Sequence, residues 1–397
     1  MSTTTLVPMT DADRPAVARL LHHAFAGQLD SIEAWLRTAG TEHMRVIRED
    51  GGGAIPACLL RIPMGQFFGG RSVPMLGIAG VAVAPEARGR GHAMDLMQQA
   101  LRQGAAEGTP ISCLYASTQS LYRRVGFEQA GHRFTTTVEL GDIQIRERRG
   151  DLRPLTDDDD HAVRACYAAF ATPFNGLLDR GPYCWGRIRL NWDQRFNGFG
   201  LFAGSTLRGY LMLNQKRDPA LGRHDLTLTD FCFSDAEAGR RIWGFLADFA
   251  TTGDRVIFHG SPLHPALTLL PQQQYTVAKR DYWMLRILDV RRAIEARGYN
   301  PAVTAGFCLE VADDLIPANA GLWTIRVRDG HAAAERGGDD ALPTLRCHVR
   351  GLAAMYSGLY TPRQARLVGL AEGDDRALDC AGAAFACGGT PWMTDMF

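Results

Sequence analysis

No apolar run in the 397-residue chain reaches the roughly 20 residues needed to cross a membrane. Residues 1–10 have neither the basic flank nor the apolar stretch of a secretory leader. Neither charge is in excess: 43 Lys and Arg balance 43 Asp and Glu, leaving no basic surplus for nucleic acid as the main partner. The nine cysteines are scattered, odd in number and never spaced C-x-x-C. Buried free thiols are therefore expected, not disulfides or a zinc site. His22 with His23, and His259 with His264, have no third ligand nearby, so no metal is expected. Low-complexity segments are also missing, and the glycines at 51–53 and 388–389 read as turns. What is left is a cytoplasmic globular protein with no membrane partner, long enough for two or three domains.

The chain repeats itself. Residues 6–17 and 152–163 share seven of twelve positions at a constant offset of 146. Each copy runs from a short strand through Thr-Asp into an amphipathic helix, with Thr10 and Thr156 placed as N-caps and carboxylates in the first turn. A duplicated unit follows, with boundaries near 150 and 295. Beyond 300 the pattern changes to strands at 306–311, 322–328 and 344–347 and helices at 348–356, 361–370 and 376–385.

The most informative segment is 80–97. Val81 and Val83 alternate as in a strand, Pro85 ends it, and Arg88-x-x-Gly91-x-Ala93 opens a helix over 92–106. A glycine-rich turn between strand and helix leaves N–H groups pointing outward, lets a ligand approach the backbone and adds the positive end of the helix. That suits a pyrophosphate, with Arg88 and Arg90 as cationic contacts. Neither G-K-[ST] nor an early G-x-G-x-x-G is present, which excludes Walker-A and Rossmann loops.

Segment 81–93 closely resembles the V-x-V-x-P-x-x-R-G-x-G-x-[GA] motif of the GNAT superfamily of acetyltransferases. The resemblance implies acetyl-CoA as co-substrate, held by Val81, Ala82, Val83, Arg88, Gly89, Arg90, Gly91, His92, Ala93 and Met94. A strand at 111–117 then leads into 118–127, similar to the superfamily's Y-x-x-x-G-F. This implies Tyr122 as general acid for the departing thiolate, with Ser117 and Thr118 near the acyl group. Thr118 stands where many relatives carry an acidic residue, a departure that bears on acceptor preference.

The layout as a whole is similar to the enhanced-intracellular-survival (Eis) acetyltransferases. It implies an α+β chain of tandem GNAT-like domains followed by a sterol-carrier-protein-like domain. Residues 1–150 would be the catalytic unit, 151–295 a GNAT-like unit without the cofactor loop, and 296–397 the third domain. A gapless comparison of the two copies sets Gly239 on Gly89 but Ala238 on Arg88, and brings Asp235 and Glu237 into the second loop. In that family a C-terminal phenylalanine offers its carboxylate as general base, which points to Phe397. Trp392, Met393, Met396 and Phe397 make an apolar tail suited to burial. Asp30, Glu33 and Asp395 are candidates for lining an acceptor pocket. The implied acceptor is a primary amine of aminoglycoside, polyamine or lysine type, and the implied assembly a homo-oligomer, a hexamer in the family. The rival expectation is an acyl-CoA sensor or lipid binder whose GNAT fold is not catalytic.

Overall fold

The computed structural model describes residues 4–49, 54–191, 194–217 and 222–397. The expected turn at 51–53 lies outside them. Two GNAT-type halves share one thirteen-stranded mixed sheet, and a separate four-stranded sheet forms the third domain. The repeat seen in the sequence is kept in space. Thr4–Pro8 and Asp151–Pro154 lie at opposite ends of the large sheet. Each leads into a capping box: Asp13 Oδ2 accepts from the Thr10 N–H at 2.8 Å, and Asp159 Oδ2 from the Thr156 N–H at 2.8 Å. An arginine closes each box, Arg48 onto Asp13 at 2.6 Å and Arg153 onto Asp159 at 2.8 Å.

The centre of the sheet is where the halves meet. Ile111–Tyr115, from the first half, pairs antiparallel with Tyr275–Ile287, the last strand of the second. Tyr275–Ile287 in turn pairs with Glu128–Glu139, which pairs with Gly253–Gly260 of the second half. Each half has thus sent its final strand across into the other. Trp283, Met284, Leu285 and Ile287 are fully buried there and alternate between the two faces of the sheet.

In the third domain the strands run in the order His331–Arg336, Gly321–Arg328, Ala305–Ala312, Thr344–His348. The first of these was not expected, because its three alanines carry little strand signal. The expected helix over 361–370 is shorter, Pro362–Leu367. It stops where Gly369 takes φ +71° and the Leu370 N–H turns back to the Ala365 carbonyl. Helix Val349–Ser357 packs on both exchanged strands and fastens this domain to the large sheet.

Candidate functional site

Strand Arg71–Val83 carries the first feature of the site. Its pairing with Ala57–Phe68 slips by one residue between Cys58 and Leu60, and Gly80 at the slip has φ +56°. On the other edge it pairs in parallel with Ile111–Tyr115 from Met75 to Ile78, and no further among the described residues. The expected strand over 111–117 ends at Tyr115. Past Ile78 the two strands therefore separate, and the edge containing Val81, Ala82 and Val83 borders a notch.

Beyond Ala84 the chain makes a short 3-10 turn, Pro85–Ala87, and enters helix His92–Ala106. Gly89 and Gly91 have φ +78° and +91°, and a Cβ on either would have no atom within 4 Å. This is an open cradle whose backbone only glycine adopts freely. Among the described residues the N–H groups of Gly89, Arg90 and Gly91 donate no backbone hydrogen bond, and Gly91 caps the helix without a side chain. Arg88 and Arg90 are exposed beside them, whereas the His92 side chain is buried. The Met94 N–H already bonds the Gly91 carbonyl at 3.0 Å. Its side chain packs against the same apolar cluster as Val81, Val83 and Tyr122.

Tyr122 lies on helix Gln119–Arg123, which starts from Thr118 as N-cap. It is buried, edge-on to Phe127 at 6.1 Å between ring centres. Burial raises its phenol pKa, and a hydrogen bond with the exposed Ser117 hydroxyl offsets part of that rise. The turn after it holds the helix: Gly126 has φ +89° and the Phe127 N–H returns to the Tyr122 carbonyl at 3.1 Å. Arg123 pairs with buried Glu128 at 2.7 Å, and Arg350 of the third domain takes the other carboxylate oxygen at 2.5 Å. Arg124 faces solvent.

The tail is docked. The His132 N–H bonds the Pro391 carbonyl, and the Met393 N–H returns to the His132 carbonyl, both at 3.2 Å. Trp392 is buried against Phe174 and His264, each at 5.3 Å. Tyr115 donates its hydroxyl to the Asp395 carbonyl at 2.7 Å, and its ring meets that of Phe397 at 5.7 Å. Phe397 and Gly80 line one cleft of about 120 Å³. Met396 departs from the expected burial, since it is 42 % exposed.

The acidic candidates fare differently. Asp30 is exposed and Glu33 lies 3.9 Å from Arg37; neither lines the cleft. Asp395 is buried against Arg180 at 2.9 Å. That arginine also makes two 2.6 Å bonds to Asp230 and lies over the Tyr167 ring. Sequence reading missed Arg180, and also helix Pro182–Arg189, which brings Tyr183 and Arg187 to the cleft. Isolated Arg and Tyr residues so far along the chain from the motif give no signal of this kind.

In the second half the equivalent helix, Ala236–Ala247, begins three residues after its strand. Gly239 lies inside that helix, not in a loop, which corrects the gapless comparison with Gly89. Asp235 caps it by accepting from the Ala238 N–H at 2.9 Å, and Arg208 neutralises Asp235 and Glu237. The helix terminus is thus satisfied internally. Among the described residues no three His, Cys, Asp or Glu side chains are grouped to hold a metal ion. The nine cysteines are all free thiols.

Comparison with known proteins agrees with this anatomy. Residues 5–130 and 176–287 each match an acetyltransferase (GNAT) domain, and residues 290–394 match a sterol carrier protein domain. A GCN5-related N-acetyltransferase from Anabaena variabilis is 32 % identical over the whole of both chains, with a TM-score of 0.94. N-acetyltransferase Eis of Mycobacterium tuberculosis is 25 % identical, covering 90 % of each chain. An uncharacterized N-acetyltransferase of Streptomyces avermitilis is 29 % identical, covering 83 % of each. The chain therefore belongs to the GCN5-related N-acetyltransferases and, with two GNAT domains followed by a sterol-carrier-type domain, is an Eis-like member of that family.

Proposed function

We propose that the protein transfers an acetyl group from acetyl-CoA to a primary amine by direct attack. The observation that carries this is the open cradle at Gly89 and Gly91, whose helix shares an apolar cluster with the buried Tyr122. Gly89, Arg90, Gly91, His92 and Ala93 would receive the pyrophosphate, with Arg88 and Arg90 at its flanks. Val81–Val83 offers a strand edge to the amide-bearing arm, and Ser117 and Thr118 stand at the acyl end. Acetyl-CoA supplies an activated thioester. A free alkylammonium has a pKa near ~10 and must shed a proton before attack. Phe397 lines the same cleft as Gly80, and in this reading its terminal carboxyl group takes that proton. Tyr122, kept protonated by burial, gives one to the thiolate.

In this reading residues 1–150 are the catalytic unit, 151–295 lack a cofactor loop, and 296–397 deliver the tail to the cleft. The acceptor is of aminoglycoside, polyamine or lysine type. A cytoplasmic homo-oligomer, a hexamer by family resemblance, is the working assembly. A lipid-carrying role is disfavoured because the interior of the third domain holds the Arg297 guanidinium among the rings of Tyr299, Tyr356 and Phe385, a poor lining for an alkyl chain.

The test is thiol release from acetyl-CoA with a panel of amines, using wild type, Tyr122→Phe and a chain with one glycine added after Phe397. The addition moves the terminal carboxylate by about 3.5 Å. Loss of turnover in both variants supports the acid and base roles. Loss in Tyr122→Phe alone places the base elsewhere, and acetyl-CoA binding without turnover of any amine overturns the reading.

A further inference from the structure

Deepening that reading, and resting on it for the location of the acceptor, we infer that the cleft selects an apolar monoamine: one primary amine on an aromatic or hydrocarbon body. A polycation is disfavoured. The wall is built by the first two helices, Arg14–Phe25 and Leu29–Ala39, together with Pro182–Arg189 of the second half. They contribute Leu21, Phe25, Ile32, Trp35 and Tyr183. A Cβ on Gly80 would lie 3.0 Å from the far edge of the Trp35 indole, so the ring sits directly over the bulge. The indole N–H is already satisfied by the Tyr183 hydroxyl at 2.8 Å. Phe25 is 54 % exposed, which puts an aromatic ring at the mouth.

The charge distribution points the same way. Among the described residues no Asp or Glu side chain lines this cleft, and the charged side chain that does is the Arg187 guanidinium. Asp30 and Glu33 share a helix with Ile32 and Trp35 but do not line the cleft. A second or third ammonium on the acceptor would leave water for an apolar wall that offers it no carboxylate. A hydrocarbon or aryl body instead removes its own surface and that of the wall from water. One amine matches the one carboxyl group, that of Phe397, which the proposed reaction places here.

The experiment compares 2-phenylethylamine with spermidine and kanamycin, by turnover with acetyl-CoA and by titration calorimetry in the presence of CoA. The expected result is a kcat/KM for 2-phenylethylamine at least about tenfold above those of the two polycations, with the same order in binding. Phe25→Glu alters an exposed position and puts a carboxylate at the mouth. It should lower the preference for 2-phenylethylamine by about tenfold, while acetyl-CoA binding stays as in wild type. Preference of the wild type for spermidine or kanamycin overturns the inference and leaves acetyl transfer standing. If no amine is turned over, the calorimetric order still decides: selective binding of 2-phenylethylamine that Phe25→Glu weakens supports the apolar cleft, and its absence refutes it.

Discussion

A Cβ on Gly126 would lie 2.7 Å from Nε of Arg286. The guanidinium fills the place a side chain would take, donating from Nε to the Val125 carbonyl at 2.9 Å and from Nη2 to Asp313 at 2.7 Å. The turn behind Tyr122 is thus held by an arginine from the exchanged strand, tied in its turn to the third domain. Gly126→Ala combines this clash with a backbone at φ +89°. It should cost about 2 kcal/mol or more, read by urea unfolding, and depress turnover by displacing the Tyr122 helix. Unchanged stability would show that Arg286 swings away freely.

The two helix starts predict opposite outcomes. Gly91→Ala should raise the KM for acetyl-CoA about tenfold, with a stability loss near ~1 kcal/mol from its positive φ. Asp235→Ala should cost about 1 kcal/mol through the lost cap and leave that KM unchanged. An effect of Asp235→Ala on acetyl-CoA affinity would mean that the second half also binds it.

Arg180 is fully buried between Asp230 and Asp395. Arg180→Met leaves two carboxylates without their cation and should cost about 3–5 kcal/mol, with the tail loosened first. Faster protease cleavage near 392–397 would report the loosening. Arg180→Met combined with Asp230→Asn should be less damaging than the sum of the two changes.

Three histidines surround the tail, His132 and His264 buried and His259 half-buried. Burial lowers His132 to about 4 and His264 to about 3, and burial with Arg133 and Arg280 lowers His259 to about 3. Unfolded histidine titrates near ~6.5. Between that value and the folded ones the unfolded chain binds protons that the native protein does not. The stability is therefore complete above about pH 6.5 and drains away as the pH falls toward 4 and below. Each group contributes about 1.4 kcal/mol per pH unit. The melting temperature should fall steeply from pH 6.5 to 4.5, and His264→Asn should lessen the slope. A flat profile over that range would rule this out.

The first-half cradle was legible because its chemistry is local: a strand, a proline, two glycines and a helix start fall within 13 residues. The repeat was legible for the same reason, since a Thr-to-Asp capping box spans four residues. The exchange of Glu128–Glu139 and Tyr275–Ile287 left no such trace. Alternation identifies a strand but not its neighbour, and these partners are far apart in sequence, Tyr275 with Val138 at one end and Leu285 with Glu128 at the other. The cleft's second wall and Arg180 were hidden likewise. Asp30, Glu33 and Asp395 were only candidates for an acceptor pocket, each reading more simply as an ordinary surface carboxylate, and none lines the cleft; composition does not show that Asp395 meets Arg180.

The crossed strands also constrain how the molecule comes into being. During synthesis Ile111–Tyr115 and Glu128–Glu139 leave the ribosome long before Tyr275–Ile287, the strand that must lie between them. Until then both present bare edges, the kind of surface that invites wrong pairing. The first half cannot mature alone and acquire its companion later; the two must be completed together, in a late and slow event set by that long-range contact. A nascent chain halted before residue 275 would hold every residue of the cradle while the edges of Ile111–Tyr115 and Glu128–Glu139 that await the missing strand stayed unpaired.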